Sequence, residues 1–398
     1  MKPIGVWILG AYGSIATVMI ASIAAIKHGY CGRFGLVTER PEFADVDLAS
    51  LGSLVFGGHE TRDCRLQDNA KKILAACGLQ DLYGSIKQEL EEVGQRIRPG
   101  IVSDEYAPDK GLATGVTRIT SDISAIRNIK NDLDMFKEAV GVSRIIVVNL
   151  ASTESVEEPK TTWDNLSELE AALAAGQRVL PASSLYAYAA LSAGDAYVNF
   201  TPSLGSRIGA LVELAETKGA VHAGADGKTG ETLVKSVLAE LFVRRNLHIL
   251  SWFGQNILGN NDGLVLAEPQ CKAAKIKSKD SVLKNITGYP LETTVGIDYV
   301  ESLGEWKVAW DYIHFEGFLG SKMNLQFTWS GCDSLLAAPL VIDLVRLCDL
   351  AQRRNERGIL GALAPFFKDP LGSKEQRLVA QDTGLLDWVG AHAPSERA

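Results

Sequence analysis

Residues 4–26 read IGVWILGAYGSIATVMIASIAAI, and the parsing of this stretch decides the fold. It carries no charge, follows Lys2, and is long enough to pass for a signal peptide or a membrane span. Gly5, Gly10 and Gly13 argue against that, because they punctuate the run, with a β-rich half before Gly10 and an Ala- and Ile-rich half after Gly13. The pattern is strand, tight turn, helix, and it favours a soluble core element over a targeting segment. In the turn, Gly10-Ala11-Tyr12-Gly13-Ser14, small residues would let backbone N–H groups and a helix N-terminus approach a dinucleotide phosphate. The match to G-x-G-x-x-G is imperfect: Tyr12 stands for the second glycine and Ala16 for the third.

Working outward, residues 34–38 read as a second strand ending near Glu39, and Gly57-Gly58-His59-Glu60 places an acid where it could hold ribose hydroxyls. Residues 63–98 are charged, with apolar positions at helical spacing, and 98–115 form a loop rich in Pro and Gly. RIIVVNL at 144–150 is the clearest buried strand, followed by Ala151, Ser152, Thr153 and Glu154. Strand–helix alternation then continues through 183–192, 197–200 and 207–218, which predicts a parallel, doubly wound sheet. A second glycine loop, HAGADGKTG at 222–230, leads into a helix over 231–244. His222 falls where a P-loop needs its first glycine, so that reading is rejected. The loop still suits an anion, with Asp226 and Thr229 facing it, and an ordinary strand-to-helix connection is the alternative.

Polar chemistry is densest in SWFGQNILGNNDGLVLAEPQCKAAKIKSK, residues 251–279. An apolar start opens into a turn-rich segment holding Asn256, Asn260, Asn261 and Asp262, then closes on Lys272, Lys275, Lys277 and Lys279. If the end is helical, Lys275 and Lys279 share a face and Lys277 points away. Two adjacent ammonium groups suit an oxyanion or phosphate between them; a solvated lysine face is the bland alternative. Beyond 279 the texture changes: 292–300, 306–318 and 323–330 read as strands joined without helices, hence an antiparallel sheet in a second domain. Lys307 and Asp311 share one strand face, Asp333 starts a helix running to about 354, and Lys368 sits in a loop between Pro365 and Pro370. The expected division is a first domain of 1–250 completed by 345–398, and a second of 251–344.

At 398 residues the chain has room for two or three domains, and 46% hydrophobic with 22% charged residues is ordinary globular composition. A net charge of -8 argues against nucleic acid as a partner, so local lysine clusters point to small anionic ligands. Six cysteines without C-x-x-C spacing predict a reduced, cytoplasmic protein, and six scattered histidines make a histidine-built zinc site unexpected.

Four motifs in order carry a family resemblance: the GNNDG turn at 259–263, the K-x-x-x-K of Lys275 and Lys279, K-V-A-x-D at Lys307, and CDSLLAAPL at 332–340. Together they resemble inositol-3-phosphate synthase, a likeness strongest over 223–346 and closest to the shorter prokaryotic members. The resemblance implies an α/β fold with a Rossmann-like domain, tightly held NAD, a homotetramer built on the second domain, and a role in inositol and phospholipid biosynthesis. It leaves open whether a divalent or monovalent cation assists. It implies cyclisation of glucose 6-phosphate by oxidation at carbon 5, enolisation, aldol closure and re-reduction. Carried over by motif, the catalytic set is Lys275, Lys279, Lys307, Lys368, Asp333 and Asn256. The cofactor set is Gly10, Ala11, Tyr12, Gly13, Ser14, Glu60, Ala151, Ser152, Thr153, Asp226, Thr229, Asp262 and Ser334. Within the catalytic set, Lys275 is assigned to the carbon-5 oxygen and Lys279 to the carbon-1 oxygen, with Lys307 and Lys368 for proton shuttling and phosphate. Two other classes remain: a net oxidoreductase on another sugar phosphate, and a non-catalytic NAD-binding regulator.

Overall fold

The computed structural model describes residues 2–102, 112–155, 158–259 and 283–391. Two contact units make up the chain: the first takes in 1–226 and 338–361, the second 227–337 and 362–398.

The first unit is a seven-stranded sheet with every pairing parallel. Its strands are β1 (Ile4–Leu9), β2 (Leu54–Glu60), β3 (Ile97–Pro99), β6 (Ile145–Asn149), β7 (Ala196–Asn199), β8 (Val221–Gly224) and β13 (Gly358–Ile359). A small parallel pair, β4 (Ile101–Val102) and β5 (Thr117–Arg118), stands apart. The sheet order is β13-β8-β7-β6-β1-β2-β3. The chain therefore builds outward from β1 in one direction, returns, and builds outward from β6 in the other. The reversal between β1 and β6 is the switch point at which such sheets open a crevice at their carboxyl edge. Strands buried on both faces need crossover helices, and these are α1 (Ser14–Lys27), α2 (Leu66–Ala76), α3 (Gln80–Gly94), α4 (Asp122–Val140), α5 (Leu166–Ala174), α6 (Ala182–Ser192) and α7 (Gly209–Lys218).

α1 buries residues around most of its circumference, from Ala16 to Ala25. Burial on all sides is why 4–26 is free of charge. No helix among the described residues is long and apolar enough to cross a membrane.

The strand expected at 34–38 does not form. Phe34 is exposed, Gly35 takes φ +97°, and Val37–Glu39 is a short 3-10 turn. The N–H groups of Val37 and Thr38 donate not to a strand but to the carboxylate of Asp343, at 2.7 and 3.1 Å. The second strand of the sheet is instead β2, ending on Glu60.

The second unit holds the sheet β10-β9-β11-β12, formed by β9 (His248–Leu258), β10 (Glu292–Tyr299), β11 (Trp306–Glu316) and β12 (Lys322–Cys332). It is mainly antiparallel, but β10 runs parallel to β9, so the consecutive strands β10 and β11 are not neighbours. The helix α8 (Gly230–Arg244) covers its inner face, where Phe242 meets Trp252 at 6.5 Å and Phe315 at 4.7 Å between ring centroids.

These contacts explain where the unit boundary falls. α8 spends its apolar face on the four-stranded sheet, so the change comes at 226/227 rather than near 250. Residues 362–391 likewise group with the second unit, whereas the sequence returns 345–398 to the first.

Candidate functional site

In the first unit the carboxyl ends of β1, β2, β6 and β8 carry the expected cofactor residues. Gly10 sits at φ +76°, and a Cβ there would lie 3.0 Å from Ala151 Cα, so only glycine lets the turn press against the exit of β6. The N–H groups of Gly10 and Ala11 both donate to the His59 carbonyl, and Gly13 N–H donates to the Gly10 carbonyl. Gly13 then caps α1 without a side-chain bond, and the first turn of the helix contains no acid. That terminus presents donors and a positive dipole end to an anion. Tyr12, the departure from the glycine pattern, is held by its backbone: its N–H donates to Glu60 Oε2 (2.8 Å) and its carbonyl accepts from Asn69 Nδ2 (2.7 Å).

The segment after β6 is anchored by side-chain amides. Asn149 Oδ1 accepts from Ala151 N–H at 3.2 Å, while its Nδ2 donates to Asn199 Oδ1 and Thr201 Oγ1. Glu154 N–H donates to Ser203 Oγ and its carboxylate accepts from Ser183, which fixes the far end of Ala151, Ser152 and Thr153. After β8, buried Asp226 adopts φ +60° and donates its N–H to the Thr201 carbonyl at 3.1 Å. Glu60 closes the row at the end of β2. Burial works to raise its pKa, but the hydrogen bonds from Arg62 outweigh it, and the carboxyl is held below its ordinary range.

In the second unit the inner face of the sheet carries the other set. One register row runs Ile297, Asn256, Ala309, Trp329; the next runs Tyr299, Leu258, Lys307, Gly331. Asn256 therefore lies on β9 itself, not in the polar turn expected for it, because the strand extends to Leu258. It is buried, yet among the described residues neither Oδ1 nor Nδ2 of its amide has a hydrogen-bond partner. The indole N–H of Trp329, in the same row, is likewise unbonded. Diagonal to Asn256, Lys307 donates from Nζ to Asp333 Oδ2 at 3.2 Å, at the start of the helix Asp333–Arg353. Ser334 follows, buried, with Oγ 3.2 Å from Cys332 Sγ.

Thr229 is the N-cap of α8, and a Cβ at Gly230 would lie 3.3 Å from Trp329 Nε1, so this helix start borders the same row. The neighbouring loop is tied in by a bridge between Gly227 and Phe367 and by Lys228 N–H donating to the Phe366 carbonyl (2.8 Å). That bridge sets Lys368 one residue from the pairing, with its carbonyl accepting from Gln376 Nε2. Lys275, Lys279 and Asp262 lie outside the described residues.

Sequence reasoning missed a buried cluster under this face. Lys235 Nζ lies 2.7 Å from Glu231 Oε1 and 3.2 Å from Asp311 Oδ1, and Trp252 Nε1 donates to the same Asp311 oxygen at 2.7 Å. Burial pulls the Lys235 pKa down, but the two carboxylates more than offset it and the net shift is upward. Burial raises the Asp311 pKa despite the ammonium beside it. A Cβ at Gly254 would stand 3.0 Å from both Asp311 Oδ1 and Lys235 Nζ, so the glycine makes room for the cluster. The Glu231 and Lys235 spacing of four on one helix was the available signal. Lys228 was also missed: burial lowers its pKa to about 8, and its Nζ donates to Gln381 Oε1 at 2.6 Å.

Comparison with known proteins takes in both units. A curated inositol-3-phosphate synthase of Bacteroides thetaiotaomicron is 32% identical, over 94% of this chain and 91% of its own length. The crystal structure of inositol-3-phosphate synthase from Caenorhabditis elegans superposes with a TM-score of 0.86 at 24% identity, covering 98% of this chain and 86% of that one. A myo-inositol-1-phosphate synthase-related protein from Thermotoga maritima gives a TM-score of 0.76 at 24% identity, over 98% of each chain. At these identities the two structures speak to the fold. An NAD-binding family profile described as myo-inositol-1-phosphate synthase matches residues 4–389, nearly the whole of both units. With the profile, the curated relative and the fold in agreement, the chain belongs to the myo-inositol-1-phosphate synthase family and is an enzyme of the inositol-3-phosphate synthase type.

Proposed function

We propose that this enzyme cyclises glucose 6-phosphate to 1D-myo-inositol 3-phosphate, using NAD that is regenerated within each turnover. The observation that carries the reading is the buried amide of Asn256, with no partner among the described residues, one register row from Lys307. An unbonded buried amide costs about 1–3 kcal/mol, which a polyhydroxylated ligand would recover by supplying donors and acceptors. Bound NAD supplies a reversible hydride acceptor at carbon 5. The residues of this chain do the rest. Asn256 and Trp329 orient hydroxyl groups, and Lys307, polarised by Asp333, stabilises the negative charge that builds on oxygen during enolisation and ring closure. Lys275 and Lys279 share that task in this reading, with Lys368 close to the phosphate.

The product and substrate are at the same oxidation level, so the label at carbon 5 is the test. Substrate deuterated there is expected to give inositol phosphate that keeps the deuterium, without NADH accumulating in solution. Carbon 6 is expected to lose one of its hydrogens to water. Label appearing mainly in released NADH would mean a net oxidoreductase instead.

The reading extends to a cytoplasmic homotetramer. Trp306, Trp310 and Phe253 of the four-stranded sheet are 37–42% exposed, and Trp310 lies 5.6 Å from the Phe253 ring. An exposed aromatic sheet face of this kind fits a second copy. Static light scattering is expected to return four times the chain mass; a stable monomer at working concentration would reject the assembly.

A further inference from the structure

We propose that Glu60 and Arg62 act as an opposed pair that sets which nicotinamide dinucleotide the first unit accepts, Glu60 rejecting a ribose 2′-phosphate and Arg62 favouring it. The proposal rests on the reading of the carboxyl edge as a dinucleotide site. Glu60 ends β2, beside β1, where an acid in this sheet topology faces the adenosine ribose. Its carboxylate is already occupied. Oε2 accepts from Tyr12 N–H (2.8 Å) and Arg62 Nη2 (2.9 Å). Oε1 accepts from Thr61 N–H (2.9 Å), Arg62 N–H (3.1 Å) and Arg62 Nε (3.1 Å). Five donors converge on a group with about four lone-pair sites, so little capacity is left to accept a ribose hydroxyl directly.

Discrimination at this point then comes from charge. The Glu60 side chain is 5% exposed and that of Arg62 is 43% exposed, so the guanidinium is the partner that faces solvent. It spends Nε and Nη2 on Glu60, and no partner holds Nη1 among the described residues. A 2′-phosphate arriving here meets a fixed carboxylate and a guanidinium that the carboxylate already engages. With the carboxylate removed, the same guanidinium is a free planar fork matched to phosphate.

The test is calorimetric titration of the full chain, stripped of nucleotide, with NAD+ and with NADP+, reading the ratio of the two affinities. Glu60→Gln is expected to shift the ratio toward NADP+ by about tenfold or more, the scale of one charge-assisted pair. Arg62→Gln is expected to shift it toward NAD+, and the double variant to return close to the wild-type ratio. If Glu60 only tethers the turn through Tyr12, both single variants weaken both nucleotides alike and the ratio stays fixed, which overturns the proposal. Should Glu60→Gln bind neither nucleotide, Arg62→Gln still reads the ratio, and no shift there overturns it. Wild-type protein that fails to bind NAD+ at all would defeat the dinucleotide reading and the proposal with it.

Discussion

Replacing Lys307 with methionine is expected to lower the rate of product formation by roughly two to four powers of ten, the loss typical of one preorganised oxyanion donor. NAD affinity is expected to change little, because Lys307 belongs to the catalytic set and not to the residues assigned to the cofactor. Stability should also hold. The Asp333 side chain left behind is 29% exposed and stays solvated, so a thermal melt close to wild type is the control. The loss should appear in kcat more than in KM, since the ammonium is needed most when charge develops on oxygen. Wild-type kcat in this variant would remove Lys307 from the chemistry. The same result is expected for Lys275→Ala and Lys279→Ala, with Lys277→Ala as the control that keeps activity.

A second large effect is expected at Lys235, and it is an effect on stability. Lys235→Met leaves Glu231 and Asp311 facing each other, with side chains 1% and 0% exposed. Losing one partner of a buried ion cluster costs about 3–5 kcal/mol, because the remaining charges cannot be solvated. The penalty has a direction in pH. Burial already holds the Asp311 pKa above its unfolded value, and removing the ammonium raises it further. A raised carboxyl pKa gives stability that is complete below the unfolded value, about 3.9, and is lost as pH rises through the folded one. Urea unfolding should therefore show the variant closest to wild type in acid and furthest from it at neutral pH. Combining Glu231→Gln, Lys235→Met and Asp311→Asn removes all three charges and keeps an acceptor for Trp252, and much of the loss should return. A neutral-pH loss below about 1 kcal/mol for Lys235→Met alone, the scale of an exposed pair, would show that the cluster is not energetically buried.

The sequence was most legible where a local pattern and the packing agreed. Gly10 and Gly13 divide β1 from α1, and both elements are buried as that parsing demands. The run 144–150 is read as a strand for the same reason. The 34–38 stretch misled because its apolar residues carry no information about Asp343, more than 300 positions away, which takes its amide protons. Sheet order was hidden for a related reason: the parallel pairing of β10 with β9 is non-local, and joining strands without helices suggests a meander. Of the candidate site, the residue types and their rank along the chain were legible. Invisible were the saturation of Glu60, the exposed guanidinium beside it and the Lys235 cluster, since each depends on which side chains reach a common point.

The strand order also bears on how the chain is made. β13 finishes the edge of the seven-stranded sheet next to β8, with Gly358 N–H donating to the Ala220 carbonyl and Leu360 N–H to that of His222. Everything between Gly224 and Gly358, including the whole four-stranded sheet, leaves the ribosome before that strand does. At about 5–20 residues per second the nascent chain carries β8 as an open, pairing-competent border for about 7 to 27 seconds. Over that interval the border can pair with a foreign strand, so chaperone demand and losses to aggregation during synthesis should concentrate there.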